Sequence, residues 1–482
     1  MRILCSILIL LMFNAQIFAK EELFDNPIEF AKDKNCSVDE YCEKYIKDID
    51  IEKFIKNELK NDYVVVSLDE CLDVALKNNF NIAINENRYK SSKYEFQNAL
   101  SKFLPILYTK SYIAEYKGQI LVGGVLNDNF KETAISVNLT AQHDLTNGGA
   151  DVFEAKATKY FQKAQAHNLN FSKSQTIYLT CIGYYELLLA KERIEIYLRN
   201  LIERNAQMTL AQKLSDSGLG TKFDVIRSES ELEFAKAKLL EALYNFKTKQ
   251  SNLSNVMGIN LNTALMPFEN DVKRLELVDK DIYSVEKLMD LALKNREDLK
   301  SYKDLINSEV QKRKLILTEF MPHPHVIFQQ QFQGTIATKI NSNYILGAYL
   351  DWAPGENSAF GTITKYKSKK AEIKAMRLEL ENKLRNIQEA LVNNYNASIF
   401  ASRGIKITKA RVDFAKESVK LAMLRFNYGK GILLDVIQAQ SEATQARIEY
   451  VETIINYNIS QIALLYNSGM IEKGIIVDNY KP

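Results

Sequence analysis

Proline and glycine are scarce in this chain of 482 residues: 7 prolines and 18 glycines, about 5% together, against roughly 12% in average proteins. That shortage excludes a β-sandwich, a collagen-like chain and a disordered one. No proline lies between residues 106 and 266, and none between 355 and 481. Proline in a helix interior costs about 3 kcal/mol, so both stretches are free to form very long helices. Charge of one sign is also lacking: 63 basic against 60 acidic residues, a net charge of +3. A polyanion binder driven by bulk charge is excluded, and no nucleic-acid partner is expected. No stretch reaches 18 uninterrupted apolar residues, so no helical membrane span is expected. Phosphate loops and nucleophile elbows are absent. There are four histidines; His323-Pro324-His325 has no cysteine or acidic cluster nearby in sequence and reads as the entry from a helix into a strand. No catalytic residue, metal or cofactor is expected.

What is present begins with an export signal. Met1-Arg2 precedes the apolar run Ile3 to Leu11, and Ile17-Phe18-Ala19 precedes Lys20-Glu21-Glu22. A positive start, a short apolar core and a small residue before charge mark residues 1–19 as a secretory signal peptide. Cys5 lies inside that core rather than at the cleavage point, so no lipid anchor is expected. Cys36 and Cys42 bracket a short polar segment of an exported chain, where disulfides persist; a bridge between them stays an open alternative. Cys71 and Cys181 sit in helical patterns and read as small core residues. Residues 20–66 form a charged, helix-compatible extension.

An internal repeat organises the rest. Leu72-Asp73-Val74-Ala75-Leu76-Lys77-Asn78 is echoed by Met289-Asp290-Leu291-Ala292-Leu293-Lys294-Asn295, and Phe103-Leu104-Pro105 by Phe320-Met321-Pro322. Asp144 and Gly148 return as Asp351 and Gly355. Gly218-x-Gly220-x-x-x-Asp224-Val225-Ile226 returns as Gly429-x-Gly431-x-x-x-Asp435-Val436-Ile437. Four landmarks in one order, at offsets between 207 and 217, indicate tandem duplication over 67–270 and 271–482. The 20–66 extension has no counterpart in the second half.

Each half reads as helix, strand pair, very long helix, tight turn, helix. A helix is expected over 68–104, ended by Pro105. Strands are expected at about 106–117 and 132–144, then at about 325–336 and 343–353, because the pattern there alternates. Ile135, Val137, Leu139 and Ala141 share one face; Ser136, Asn138, Thr140 and Gln142 share the other. Tyr108, Tyr112 and Tyr116 share a face, with Lys110 as its exception. Val326, Phe328, Phe332 and Ile336 oppose Ile327, Gln329, Gln331 and Gln333, while Tyr344, Leu346, Ala348, Leu350 and Trp352 align. In the long-helix stretches, Ile177, Cys181, Tyr184 and Leu188 recur at spacings of three and four. So do Val225, Ser228, Leu232, Ala235, Leu239, Ala242 and Phe246, and the matching Val436, Ala439, Ala443, Ala446, Tyr450, Thr453 and Tyr457. These are coiled-coil seams rich in small residues.

Strands of 9–11 residues suit an outer membrane, but four cannot close a barrel, and an open sheet edge cannot face lipid. Several chains must therefore share one barrel, and three copies give twelve strands. Tyr108, Tyr112, Tyr116 and Trp352 are candidates for its aromatic girdles.

Over residues 67 to 470 the chain resembles the TolC-type outer-membrane efflux proteins, the outer-membrane factors of tripartite efflux and type I secretion systems. The resemblance is carried by both halves, the hairpin placement, Arg425-Phe426-x-x-Gly429 and Asp435-Val436-Ile437-Gln438-Ala439-Gln440. It implies a mainly α fold with membrane β-structure: duplicated long helical hairpins forming a periplasmic α-barrel, with four strands per chain contributing to a twelve-stranded β-barrel of a homotrimer. It implies a location in the outer membrane and contact with its lipid. It also implies a periplasmic adaptor and an inner-membrane pump of the RND or ABC type as partners. The function implied is a passive exit duct for multidrug export or protein secretion. A periplasmic coiled-coil adaptor is the alternative, and would show one helical hairpin with sandwich or barrel domains. An exported enzyme would need a convergent polar cluster, which is missing.

The resemblance places Gly218, Gly220, Gly429 and Gly431 at helix-turn tips where an adaptor docks. It places Asp224, Asp435 and Gln438 at a periplasmic aperture, where carboxylate rings select cations. Asp224 and Asp435 also suit the role of helix N-cap. Phe426 stands where the family pattern has tyrosine, Gly431 where it has arginine, and Gln438 where an acidic residue would complete a second ring. Closure is therefore expected to rest on Asp224, Asp435 and packing.

Overall fold

The computed structural model describes residues 35–36, 63–122, 125–218, 220–269, 272–278, 283–336, 339–352 and 359–480. The signal peptide at 1–19, most of the 20–66 extension and Cys42 lie outside the described residues, and the Cys36 side chain does too. The chain divides into two units, residues 1–65 and 66–482. In the first, Asn35 and Cys36 pair antiparallel with Val64 and Tyr63.

The second unit repeats one plan twice. In the first half α1 (Leu68–Asn78) and α2 (Phe80–Ser101) lead to strands β1 (Ile106–Val122) and β2 (Val125–Asp144), then α3 (Ala150–Asp216) and α4 (Lys222–Met257). In the second, α5 (Val285–Asn295) and α6 (Glu297–Thr318) lead to β3 (His323–Thr335) and β4 (Asn341–Asp351). Then come α7 (Ala359–Asn427), α8 (Leu433–Asn467) and the short α9 (Lys473–Tyr480). Helices α3 and α7 have 67 and 69 residues, about 100 Å each at 1.5 Å per residue.

The helix expected over 68–104 is two helices. Asn79 is extended (φ −64°, ψ 124°) and its Oδ1 accepts from the backbone N–H of Asn81 (2.9 Å) and Ile82 (3.4 Å). One residue thus ends α1 and caps α2, the local competition that asparagine offers a helix. Arg296 makes the equivalent break between α5 and α6, with φ −62° and ψ 116°.

The returning helix of each half then seats on its own break through a glycine. Gly258 (φ 69°) ends α4 against Asn78 and Asn79, and a Cβ there would collide with the Asn78 carbonyl. Gly469 (φ 73°) ends α8 the same way, its Cβ position 2.9 Å from Arg296 N. This pair, offset by 211 residues, is a further landmark of the duplication.

The expected seams are buried. Val225, Ser228, Leu232, Ala235, Leu239, Ala242 and Phe246 all lie in the α3–α4 packing, and Val436, Ala439, Ala443, Ala446 and Tyr457 in that of α8; Tyr450 and Thr453 are only half-buried. Ile177, Cys181, Tyr184 and Leu188 are buried on α3. Cys71 and Cys181 are free thiols in the core, and burial pushes both well above the usual thiol range. Among the described residues no helix is long and apolar enough to cross a membrane.

The four strands form one antiparallel sheet in the order β1-β2-β3-β4, and among the described residues no strand pairs with the outer edge of β1 or β4. β1 and β2 run to 17 and 20 residues, longer than expected. Alternation fades past Ile113 where Glu115 pairs with Lys131 (2.9 Å) and Lys117 (3.3 Å), yet backbone pairing continues.

Register fixes the faces, since directly paired residues share one. Val137 pairs with Phe332, and Phe328 with Ala141 and Leu346. The apolar face thus gathers residues from all four strands. The polar face joins Asn138 to Gln331 and Asn343, and Thr140 to Gln329. Tyr108, Tyr112 and Tyr116 pair with Thr140, Ser136 and Glu132, so they belong to the polar face and cannot form an outward girdle. Both faces of β1 are mixed in composition, and only its partner strand settles the choice. Lys110, opposite Asn138, is then no exception. Tyr344, opposite Gln330, stands on the apolar face, and Trp352 follows Leu350 at strand period. The two flank Leu346, Ala348 and Leu350 about 27 Å apart along the strand, close to the ~25 Å height of a barrel's apolar band.

Arginine at Val137 is expected to cost about 2–4 kcal/mol on a lipid-facing midplane, whereas Asn138→Arg is expected to be tolerated. The fraction of detergent-resistant oligomer for each variant checks the register; the opposite ranking would place the faces wrongly.

Candidate aperture at the hairpin tips

The two long hairpins end in turns of the same construction. Ser217 caps α3, Gly218 follows at φ 75°, and Gly220 N–H donates to the Leu214 carbonyl (2.9 Å). After α7, Gly429 takes φ 67° and Lys430 N–H donates to the Arg425 carbonyl (2.8 Å). Positive φ at the first glycine reverses the chain without a Cβ penalty. Gly220 and Gly431 have ordinary φ and lie tight against the preceding helix end.

Neither aspartate is the N-cap. Thr221 and Ile432 hold that position, and Asp224 and Asp435 are the third helical residues of α4 and α8. Thr221 Oγ1 accepts from Asp224 N–H (3.2 Å), while Asp224 Oδ2 accepts from Thr221 N–H (3.3 Å) and from its hydroxyl (2.6 Å). This is a capping box, and Thr221-x-x-Asp224 was its signature in the sequence. Ile432 has no side-chain acceptor, so α8 starts without one. The duplicated aspartates have therefore diverged. Asp224 is half-buried and committed to its helix; Asp435 is exposed and its carboxylate makes no ion pair among the described residues. Gln438 is exposed one turn further on.

The residues beside the aspartates join the tips. Val225 of α4, Ala211 of α3, and Leu433 and Ile437 of α8 form one buried cluster against which Phe426 packs. Where tyrosine would offer a hydroxyl, Phe426 offers only apolar area.

Just behind this cluster lies a polar clasp that the repeat did not disclose. Arg204 of α3 is 2% exposed. Its Nη2 donates to the Ile437 carbonyl (3.1 Å) and to Ser441 Oγ (2.7 Å), and its Nη1 to Gln207 Oε1 (3.1 Å). Gln207 in turn donates to Gln440 Oε1. Burial lowers the Arg204 pKa, with Glu231 and Glu203 opposing. The network ties the first hairpin to the second across α3 and α8. Further along the same helices Arg193 Nη2 meets Glu452 Oε1 at 2.5 Å. The available signal was polar residues standing in the register of an apolar stripe: Leu201, Arg204, Gln207 and Ala211 are all buried.

The histidines of the strand entry each have a separate partner. His323 Nδ1 lies 2.8 Å from Asn147 Oδ1. His325 Nδ1 lies 2.5 Å from Asp144 Oδ1, with its ring stacked on Tyr349.

Removing one member of a buried hydrogen-bonded network leaves the others unsatisfied, at about 1–3 kcal/mol. Arg204→Met and Gln440→Leu are each expected to lose that much in denaturant titrations of the detergent-solubilised protein. Exposed Gln438→Ala is expected to stay within about 0.5 kcal/mol of the parent. Equal effects at positions 438 and 440 would contradict the clasp.

No family model matches the chain. An outer membrane efflux protein, BepC of Brucella suis biovar 1 (strain 1330), is 22% identical over 341 residues, covering 66% of this chain and 69% of that protein. Among solved structures, the outer-membrane channel OprN aligns with a TM-score of 0.74 at 14% identity, over 93% of this chain and 99% of its own. The CmeC outer membrane channel of Campylobacter jejuni gives 0.72 at 15% identity, over 85% and 88%. The outer membrane protein VceC of Vibrio cholerae gives 0.71 at 16% identity, over 83% and 96%. The chain is thus similar in fold to outer-membrane channels and, at low identity, similar in sequence to an outer membrane efflux protein.

Proposed function

We propose that this chain is one third of an outer-membrane exit duct, which passively conducts substrates delivered by an inner-membrane pump through a periplasmic adaptor. The observation that carries this reading is the sheet: four strands, one apolar face, and two edges left unpaired among the described residues. Such a sheet is stable in a bilayer only when its edges are closed by further strands, and three copies supply twelve. The α7 surface supports the same assembly. Phe400, Ile407, Phe414 and Leu421 are 81, 70, 76 and 53% exposed and repeat every seventh residue. A heptad stripe left bare in one chain is a seam for a neighbouring helix, and the neighbour here is the next protomer. The tips at Gly218, Gly220, Gly429 and Gly431 are then the surface offered to the adaptor, whether the pump is of the RND or the ABC type. No catalytic step is assigned to any residue.

In a threefold tube Asp435 places three free carboxylates at the mouth. Asp224 adds three more, already engaged by Thr221. The mouth is therefore cation-selective mainly through Asp435. The mature chain should fractionate with the outer membrane and migrate as a trimer in mild detergent; a monodisperse monomer without detergent would sink the reading. In planar bilayers Asp435→Asn is expected to lower cation selectivity and weaken block by divalent cations from the periplasmic side. Asp224→Asn is expected to change selectivity less, while weakening the capping box at the start of α4. Unchanged selectivity in the double variant, correctly assembled, would leave the aspartates with structural roles only.

A further inference from the structure

The polar face of the sheet carries an isolated charge. Lys110 lies in one row with Asn138, Gln331 and Asn343. The rows on either side are headed by Tyr108 and Tyr112, and the next ones out by Ile106 and Ala114. Every other described residue of this face within those five rows is an amide, a hydroxyl, an aromatic or an apolar group. The nearest carboxylates on the face are Glu132 and Asp144. Each stands six residues from Asn138 along β2, about 20 Å away. Glu115, nearer in sequence, is on the opposite face with Lys117 and Lys131. Lys110 is exposed and has no ion-pair partner among the described residues. The Debye length at physiological salt is about 8 Å, so neither distant carboxylate cancels its field.

We propose that Lys110 is a charge-selecting residue of the barrel lumen: three copies form a cationic ring within a neutral belt and favour anionic solutes at that level. The proposal rests on the polar face lining a trimeric barrel. Selectivity at this ring opposes that of the Asp435 mouth, so the duct holds two charge filters of opposite sign in series. Tyr108 and Tyr112 flank each lysine by one row, about 7 Å along the strand. They add flat amphipathic surface against which an aromatic anion stacks while its charge meets the ammonium.

Because the mouth dominates whole-channel selectivity, the test reads the local potential. A reporter cysteine at Asn343→Cys is placed in a Cys36→Ser, Cys42→Ser background; the remaining native thiols, Cys71 and Cys181, are buried. The trimer in proteoliposomes is treated with a sulfonate-bearing and a trimethylammonium-bearing methanethiosulfonate. The ratio of anionic to cationic modification rates is expected to fall about two- to threefold at 0.15 M salt on Lys110→Gln or Lys110→Met. It should fall further with Lys110→Glu, hold with Lys110→Arg and with Lys117→Gln, and lose its dependence on residue 110 at 1 M salt. An unchanged ratio in an assembled Lys110→Gln or Lys110→Met trimer overturns the proposal and leaves the duct intact. If the reporter reacts only with a lipid-soluble thiol reagent, the polar face is not the lumen, and the barrel reading fails with it.

Discussion

A peptide group in lipid has no water to pair with, and the rest of this chain is arranged around that constraint. Duplication supplies two strand pairs, enough for one sheet and too few for a closed one. The β1–β2–β3–β4 order brings the pairs from both halves side by side, so each chain presents one wide sheet segment with two edges. On the proposed reading, copies of the same chain close the sheet and place the hairpins of each protomer around a common axis. The long helices α3 and α7 would then carry the duct from the sheet to its tips, with the bare heptad stripe of α7 as a seam between protomers.

Much of this was legible because duplication writes the same landmark twice. The Gly-x-Gly turns, the Phe-x-Pro strand entries and the alternating strands located the elements in order, although β1 runs five residues past and β2 starts seven residues before the alternating stretch. The breaks at Asn79 and Arg296 were hidden because the composition stays helical across them; one asparagine side chain, and in the other half a salt-bridged arginine (Arg296 to Asp298, 2.9 Å), redirect the backbone. The face of Tyr108, Tyr112 and Tyr116 was hidden for another reason. A strand with mixed residues on both sides declares its orientation only through the partner it pairs with. The clasp of Arg204, Gln207, Gln440 and Ser441 joins residues more than 230 positions apart, and no local pattern links them.

The two halves have not kept equal tasks at the tip. Thr221 turns Asp224 inward to its own helix start, whereas Ile432 leaves Asp435 to solvent. The free carboxylate at the hairpin tips therefore comes from the second half, and the capping box from the first. The positions at which the family pattern offers a hydroxyl, a guanidinium and a second carboxylate hold Phe426, Gly431 and Gln438. What joins the hairpins instead is the apolar cluster of Ala211, Val225, Leu433, Ile437 and Phe426, backed by a buried guanidinium. Parting the hairpins at this level would expose the apolar cluster and leave the Arg204 guanidinium without its acceptors.

On the proposed reading, that arrangement separates the contacts that hold the hairpins together from the charges that meet a solute. The clasp lies inside one protomer, between α3 and α8, and contributes no charge to a lumen. The groups proposed to meet a passing solute, Asp435 at the tip and Lys110 in the sheet, are each exposed and have no ion pair among the described residues. A substitution at either is then expected to change which ions dwell in the duct while leaving the contacts between the hairpins intact. A substitution at Arg204 or Gln440 does the reverse. Such independence follows from where the chain spends its hydrogen bonds: on buried contacts between hairpins, and hardly at all on the charges that line the path.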